Sequence, residues 1–418
     1  MKFRIGLLRV NVTVISLIIL YVFTFQIFFY IKDLPILYAI SKGGVPMLGF
    51  MVTFIVLFVW KEKPKYSMQV FWSAIGLMVL SAFTAAIHYG QPLSYGLIAQ
   101  AKIFPFFFFF LTYAALRVLK ADLKDITQSL LWFGSLTTLS YLYVNLFVDP
   151  RPIFEANFDS QLVYFSFEKG FRFLFDIVPG IIVTFYFFRK YLMEKKPLYI
   201  IPVLLFIVYH AIYQKQRVEL LTLLLILGLL ALQKVSLPKK IAFISLFSFS
   251  FVYLFTQFEY FSVMLDTSSG KSDSLNVRMN TIGQATEFLL DNPLNFLFGS
   301  GFLNPLLFDK TVQDIYGINF WPADIGWLGI TFELGFVGVL VFVFLYLSVF
   351  RAATSMKDNE APLMMLAIKD YIIFSIIYSV MALKIVFQSG IFMSILAILV
   401  YVSHLLGKEK LVKMRIIN

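Results

Sequence analysis

Hydrophobic runs recur along nearly the whole chain, and that leaves few folds open. A bilayer-spanning helix needs about 20 apolar residues. Twelve stretches qualify: 10–31, 39–60, 69–88, 103–119, 126–148, 172–188, 198–213, 217–232, 241–258, 325–350, 370–386 and 390–406. A soluble core cannot absorb so many. Only 14% of the 418 residues are charged, against about 25% in a soluble domain, and the mean hydropathy is +0.83. In lipid a spanning segment must satisfy its own backbone, so runs of this length become helices. The sequence therefore predicts an all-α polytopic membrane protein, a single transmembrane domain over 1–418 with about 12 transmembrane helices. The first run is long enough to span and no small-residue cleavage site follows it, so it reads as a retained helix.

Basic residues orient the runs. With the N-terminus inside, the inside segments carry Lys2, Arg4 and Arg9; Lys61, Lys63 and Lys65; Arg117, Lys120 and Lys124; Arg189, Lys190, Lys195 and Lys196; Lys234, Lys239 and Lys240; Arg351, Lys357 and Lys369; and Lys408, Lys410, Lys413 and Arg415. That is 23 of the 35 Lys and Arg, and the bias holds loop by loop. Both termini are expected in the cytoplasm. The same bias accounts for the net charge of +11 without a nucleic acid partner.

Composition removes several chemistries. There is no Cys, hence no disulfide and no thiolate site. The three His (His88, His210, His404) lie far apart in sequence, so no metal site is expected. Inside connections are short and no G-x-x-x-x-G-K-[ST] loop is present, which argues against ATP-driven transport by this chain.

One long polar segment interrupts the apolar pattern, from Glu259 to Glu333. Its part 259–324 is expected to be an extracytoplasmic loop belonging to the same domain. Ser272-Asp273-Ser274 offers N-caps. Leu275, Met279, Ile282, Phe288 and Leu289 follow at near-helical spacing, predicting an amphipathic helix over 274–290. Asn292-Pro293 ends it. Leu297-Phe298-Gly299-Ser300-Gly301 reads as a tight apolar turn, and Asp324 comes just before the next run.

A few polar residues stand out. Arg217 lies at the outer end of the run 217–232, between Lys215 and Glu219. A snorkelling anchor is its ordinary role. Its chemical role would be to grip an anionic group, because a guanidinium stays charged and matches phosphate oxygens bidentately. Arg278 sits in the second turn of the amphipathic helix, where an Arg usually just faces water. Two outward Arg flanking one apolar system could hold both phosphates of a lipid pyrophosphate and stabilise its departure. Asp324 is either an N-cap or a general base for a sugar hydroxyl. At the reference pKa of about 3.9 it is a weak base unless its surroundings raise it. Glu333 is a second acid or a buried hydrogen-bonding group. Asp176 is a weaker candidate. Arg151, Lys169 and Arg172 bracket the segment 149–171, where they either guide a substrate or are simply solvated.

Taken together these elements resemble the O-antigen polymerase and O-antigen ligase family, the Wzy-type integral membrane glycosyltransferases. The likeness rests on the many runs and on Gln216-Arg217-Val218-Glu219-Leu220-Leu221 heading a Leu-rich helix. It continues through the outer loop with Arg278, Asn292-Pro293-Leu294 and Phe298-Gly299-Ser300-Gly301. It closes with Asp324-Ile325-Gly326-Trp327-Leu328 and Glu333-Leu334-Gly335-Phe336-Val337-Gly338. It covers about 210–345 in detail. The resemblance implies a GT-C-like architecture in the bacterial inner membrane, no metal or other cofactor, and transfer of a glycan from undecaprenyl pyrophosphate to an acceptor hydroxyl. It also implies a chain-length regulator protein as a possible partner. By the same likeness Arg217, Arg278, Asp324 and Glu333 carry catalysis, while Arg217, Arg278, Arg172, Asn292, Gly299 and Gly301 bind substrate. The ligase branch tends to place His where this chain has Asp324, which favours a polymerase. A ligase or a lipid-linked oligosaccharide flippase remains the alternative.

Overall fold

A computed structural model describes residues 2–5, 8–27, 35–98, 100, 102–156, 163–166, 170–173, 177–214, 217–233, 236–239, 241–242, 245–246, 249, 273–304, 308, 310–354, 362–379 and 389–417. The described chain is mostly helical. In order come α1 (Val12–Thr24), α2 (Ile36–Val59), α3 (Ser67–Tyr89), α4 (Leu93–Ile98), α5 (Phe104–Val118), α6 (Leu123–Phe147), α7 (Val178–Glu194), α8 (Pro197–Gln214) and α9 (Arg217–Ala231). Then follow α10 (Asp273–Asp291), α11 (Pro293–Phe298), α12 (Val312–Tyr316), α13 (Gly326–Thr354), α14 (Leu363–Ser379) and α15 (Ser389–Ile417).

Eleven of the twelve expected runs coincide with one of these helices; most of 241–258 lies outside the described residues. Among the described residues, six helices are long and apolar enough to cross a membrane: α2, α3, α6, α8, α13 and the Ser389–Gly407 part of α15. Helices α1, α5 and α9 are apolar but shorter. This marks the chain as a helical membrane protein. Two small antiparallel hairpins are added, β1 (Lys2–Ile5) with β2 (Leu8–Asn11), and β3 (Val163–Ser166) with β4 (Gly170–Phe173). Strands of four residues are too short to announce themselves by alternation.

The core is built around α5. Phe106, Phe107, Phe108, Phe109 and Phe110 are all fully buried. Five successive residues point in all directions around a helix, so α5 is enclosed on every face along Phe106–Phe110, and only its end at Arg117 and Val118 is exposed. Gly390 at the start of α15 lets the Phe108 ring approach; a Cβ there would lie 2.6 Å from that ring. Helices α7 and α14 are clamped by a buried two-pronged pair, Arg189 to Asp370, in which Nη2 donates to Oδ1 at 2.7 Å.

Inter-segment contacts sort by side. Asn11 donates to Asp125 at 2.6 Å, Arg117 meets the carbonyl of Glu62 at 3.2 Å, and the Tyr401 hydroxyl donates to the Ala121 carbonyl at 3.1 Å. Each joins segments that the charge bias puts on one side. At the other end, residues 91–102 meet 302–304, 333 and 389.

Candidate functional site

Helix α13 is broken nine residues after its start. Gly335 has φ 66° and ψ −175°, a conformation open in practice only to glycine. The break releases the carbonyls of Phe332 and Glu333 from the helical ladder. The turn after α11 takes them: Ser300 N–H donates to Phe332 at 2.7 Å and Gly301 N–H to Glu333 at 2.9 Å. Buried irregular backbone must find partners in this way. The rest of the thread is bonded to α3 and α4. Phe302 N–H donates to the Ser81 hydroxyl at 2.9 Å and Asn304 N–H to Gln91 at 2.7 Å, while Gln91 returns a bond to the Phe302 carbonyl at 3.2 Å.

Glycines permit this docking. A Cβ on Gly299 (φ 72°) would lie 2.4 Å from the Gly335 nitrogen, and one on Gly335 would lie 2.2 Å from the Leu297 carbonyl oxygen. Gly301 (φ 83°) is pressed equally hard against Ala85 and Ser81 of α3. Both glycines of the predicted apolar turn are thus buried against backbone, and close packing accounts for their identity.

A charged pair sits at the break. Lys102 Nζ binds Glu333 Oε1 at 2.5 Å and lies 4.4 Å from the centre of the Phe302 ring. Glu333 is only 6% exposed and its Oε2 is buried with no hydrogen-bond partner among the described residues. The Tyr89 hydroxyl is likewise buried, beside the hydroxyls of Ser300 and Tyr316.

A second pair stands at the start of α13, about 14 Å away along the helix axis. Helix α10 runs 273–291, matching the predicted amphipathic helix, and stops at Asn292, whose side chain accepts from Leu294 N–H at 2.9 Å and caps α11. Thr281 staples α10 to the segment before α13: it donates to the Asn319 carbonyl and accepts from Trp321 N–H, both at 3.1 Å. Arg278 is three residues earlier, hence on the same face. Its side chain is half-buried, and its Nε is buried with no hydrogen-bond partner among the described residues. Asp324, exposed at the mouth, has its carboxyl raised above the usual carboxylate value by the protein massed around it; the nearby Arg278 charge pulls the other way. Phe288, Tyr316, Phe320 and Phe332 form an aromatic cluster with centroids 4.7–5.4 Å apart in successive contacts. It holds α10 and the 312–320 segment against the first part of α13. Burial also raises the Tyr316 hydroxyl.

The fold therefore gathers Arg278, Asp324, Glu333, Asn292, Gly299 and Gly301 around α11 and the start of α13. Arg217 opens α9, which packs on α7 and α14, whereas α10 packs on α11 and α13. The side chains of Arg217 and Arg172 lie outside the described residues, as do Lys169 and Asp176 altogether. Close to Arg217, His210 and Glu219 are fully buried and 3.8 Å apart. Sequence reasoning passed over Lys102 and Tyr89. The only signal for Lys102 was a charge expected on the outer side in an otherwise apolar context.

No protein-family model and no curated protein matches this chain. The family likeness rests on the motifs named above.

Proposed function

We propose that the protein is a bacterial polysaccharide polymerase of the Wzy type, a metal-independent glycosyltransferase working at the outer face of the inner membrane. About twelve spans, both termini in the cytoplasm and a GT-C-like arrangement belong to this proposal. A hydroxyl of a lipid-linked repeat unit attacks the anomeric carbon of the growing glycan. The bond to undecaprenyl pyrophosphate breaks, and the hydroxyl proton passes to a carboxylate. Arg278, with Arg217 as the second cation, holds the departing pyrophosphate. Asp324 receives the proton, and a carboxyl raised above its usual value is the better base. Glu333, further in, orients the acceptor.

The observation that carries this reading is Arg278: a half-buried guanidinium, its Nε unpartnered, next to a perturbed carboxyl at the rim of an apolar bundle. A perturbed acid beside a guanidinium with an unpartnered buried nitrogen suits a reaction in which a phosphate leaves. The test is purified protein in nanodiscs, given lipid-linked repeat units and a chelator. Wild type is expected to make longer chains and Arg278→Ala to make none at an equal protein level, a loss of at least about 100-fold. A normal ladder from Arg278→Ala refutes the assignment. Reaction only when a separate acceptor is added identifies a ligase.

The break in α13 supports a second reading. Carriers bind substrate at discontinuous helices with charges at the break, and Lys102–Glu333 occupies such a place. Movement of the lipid-linked glycan across the bilayer without any new glycosidic bond identifies a flippase.

A further inference from the structure

The segment 292–304 belongs to the stretch expected as an outer loop, and its composition and packing are distinctive. From Asn292 to Asn304 it contains no charged residue. It packs along the first part of α13 as far as Gly335, nine residues past the start of that helix. From Gly335 to Arg351, the exposed charge near the other end of α13, is 16 residues, about 24 Å of helix, which falls within the roughly 30 Å hydrocarbon core.

Its outward side is apolar and open. Leu294 is 58% and Phe296 44% exposed, and Leu297 and Phe298 are exposed as well. The Phe296 ring stacks on Phe336 with centroids 5.7 Å apart. Phe336 begins the exposed stripe of α13 that continues through Val337 and Leu340. In a spanning helix such a stripe faces acyl chains. The two surfaces are continuous, so one occupant covers both.

We infer that 292–304 is a re-entrant segment. Helix α11 dips into the leaflet with Leu294, Phe296, Leu297 and Phe298 against acyl chains and Asn295 against protein, and the thread 299–304 returns through protein, bonded to α3 and α13. Open irregular backbone does not occur in hydrocarbon, but backbone enclosed by protein does. That matches a helical descending limb on the lipid side and a largely buried returning limb whose N–H groups at 300, 301, 302 and 304 are bonded to protein. The Lys102–Glu333 pair then lies below the headgroup level, and Arg278 and Asp324 lie above it. The inference rests on α13 spanning the bilayer and does not depend on the enzyme reading.

The absence of Cys makes the test direct. Single-cysteine variants of the full chain in nanodiscs, Leu294→Cys and Phe296→Cys, carry a nitroxide label. Leu340→Cys is the lipid reference and Glu287→Cys the water reference. The expected result is high collision with oxygen and protection from a charged nickel chelate at 294 and 296, as at 340, with the reverse at 287. Chelate access at 294 and 296 overturns the inference and returns 292–304 to the aqueous loop. Protection from both reagents also overturns it, and shows that a second copy or another protein covers this face. If 340 itself is chelate-accessible, the spanning assignment of α13 fails and the inference with it. All four positions are exposed, so the substitutions leave the core untouched.

Discussion

Asp324 carries two opposing influences, and they separate activity from stability. Desolvation raises its carboxyl and Arg278 lowers it, with desolvation the stronger. A general base works only when ionised, so the acid limb of the rate profile is expected at a higher pH than the ordinary Asp value of about 3.9. For folding, the sign runs the other way. A raised carboxyl favours the native state while protonated, and that contribution is lost as pH rises through the folded value. Asp324→Asn is therefore expected to abolish transfer while leaving melting at neutral pH unchanged or slightly higher; a pH-rate profile and a melting curve measure the two effects. If this variant keeps both its rate and its acid limb, Asp324 is not the base. At this scale the sequence was legible where chemistry was local. Arg278 stands out on the amphipathic helix, Asp324 just before an apolar run and Glu333 within it. Lys102 did not, because its partner lies 231 residues away and nothing in a linear pattern encodes that pairing.

The helix break depends on a glycine-to-glycine contact that forgives no side chain. Gly299→Ala and Gly335→Ala each place a methyl within 2.4 Å of backbone and strain a positive φ. Each is expected to cost more than about 2 kcal/mol and to lower thermal stability in detergent. Gly283 is the control. It lies within α10 with nothing near its Cβ direction, and its change to Ala is expected to be neutral or to stabilise by about 0.5–1 kcal/mol. Equal melting temperatures for all three variants contradict the clasp. The helices themselves were readable: periodicity and the Asn292-Pro293 stop placed α10 to within a residue or two. The break was not, because the run 325–350 is apolar on both sides of Gly335 apart from Thr331, Glu333 and Ser348, and Gly335 is one glycine among 22. Its meaning comes from α11, which reaches it through tertiary contact.

Across the whole molecule, charge bias sorts the segments into two sides. Segments assigned to one side by Lys and Arg meet one another through Asn11–Asp125, Arg117–Glu62 and Tyr401–Ala121. Single cysteines at Lys63 and Lys195 are expected to react with an impermeant maleimide from the cytoplasmic side only, and Asp314→Cys from the opposite side only. Labelling of all three from one side defeats the topology. What hydropathy could not show is which apolar helices face lipid and which face protein. Helix α5 settles one case. Its 15 residues reach only about 22 Å, short of a bilayer core of about 30 Å. A helix bathed in lipid pays for such mismatch by thinning or tilting. One sheathed by its neighbours owes the bilayer nothing, so its length answers to the helices around it and membranes of different thickness leave its fit unchanged.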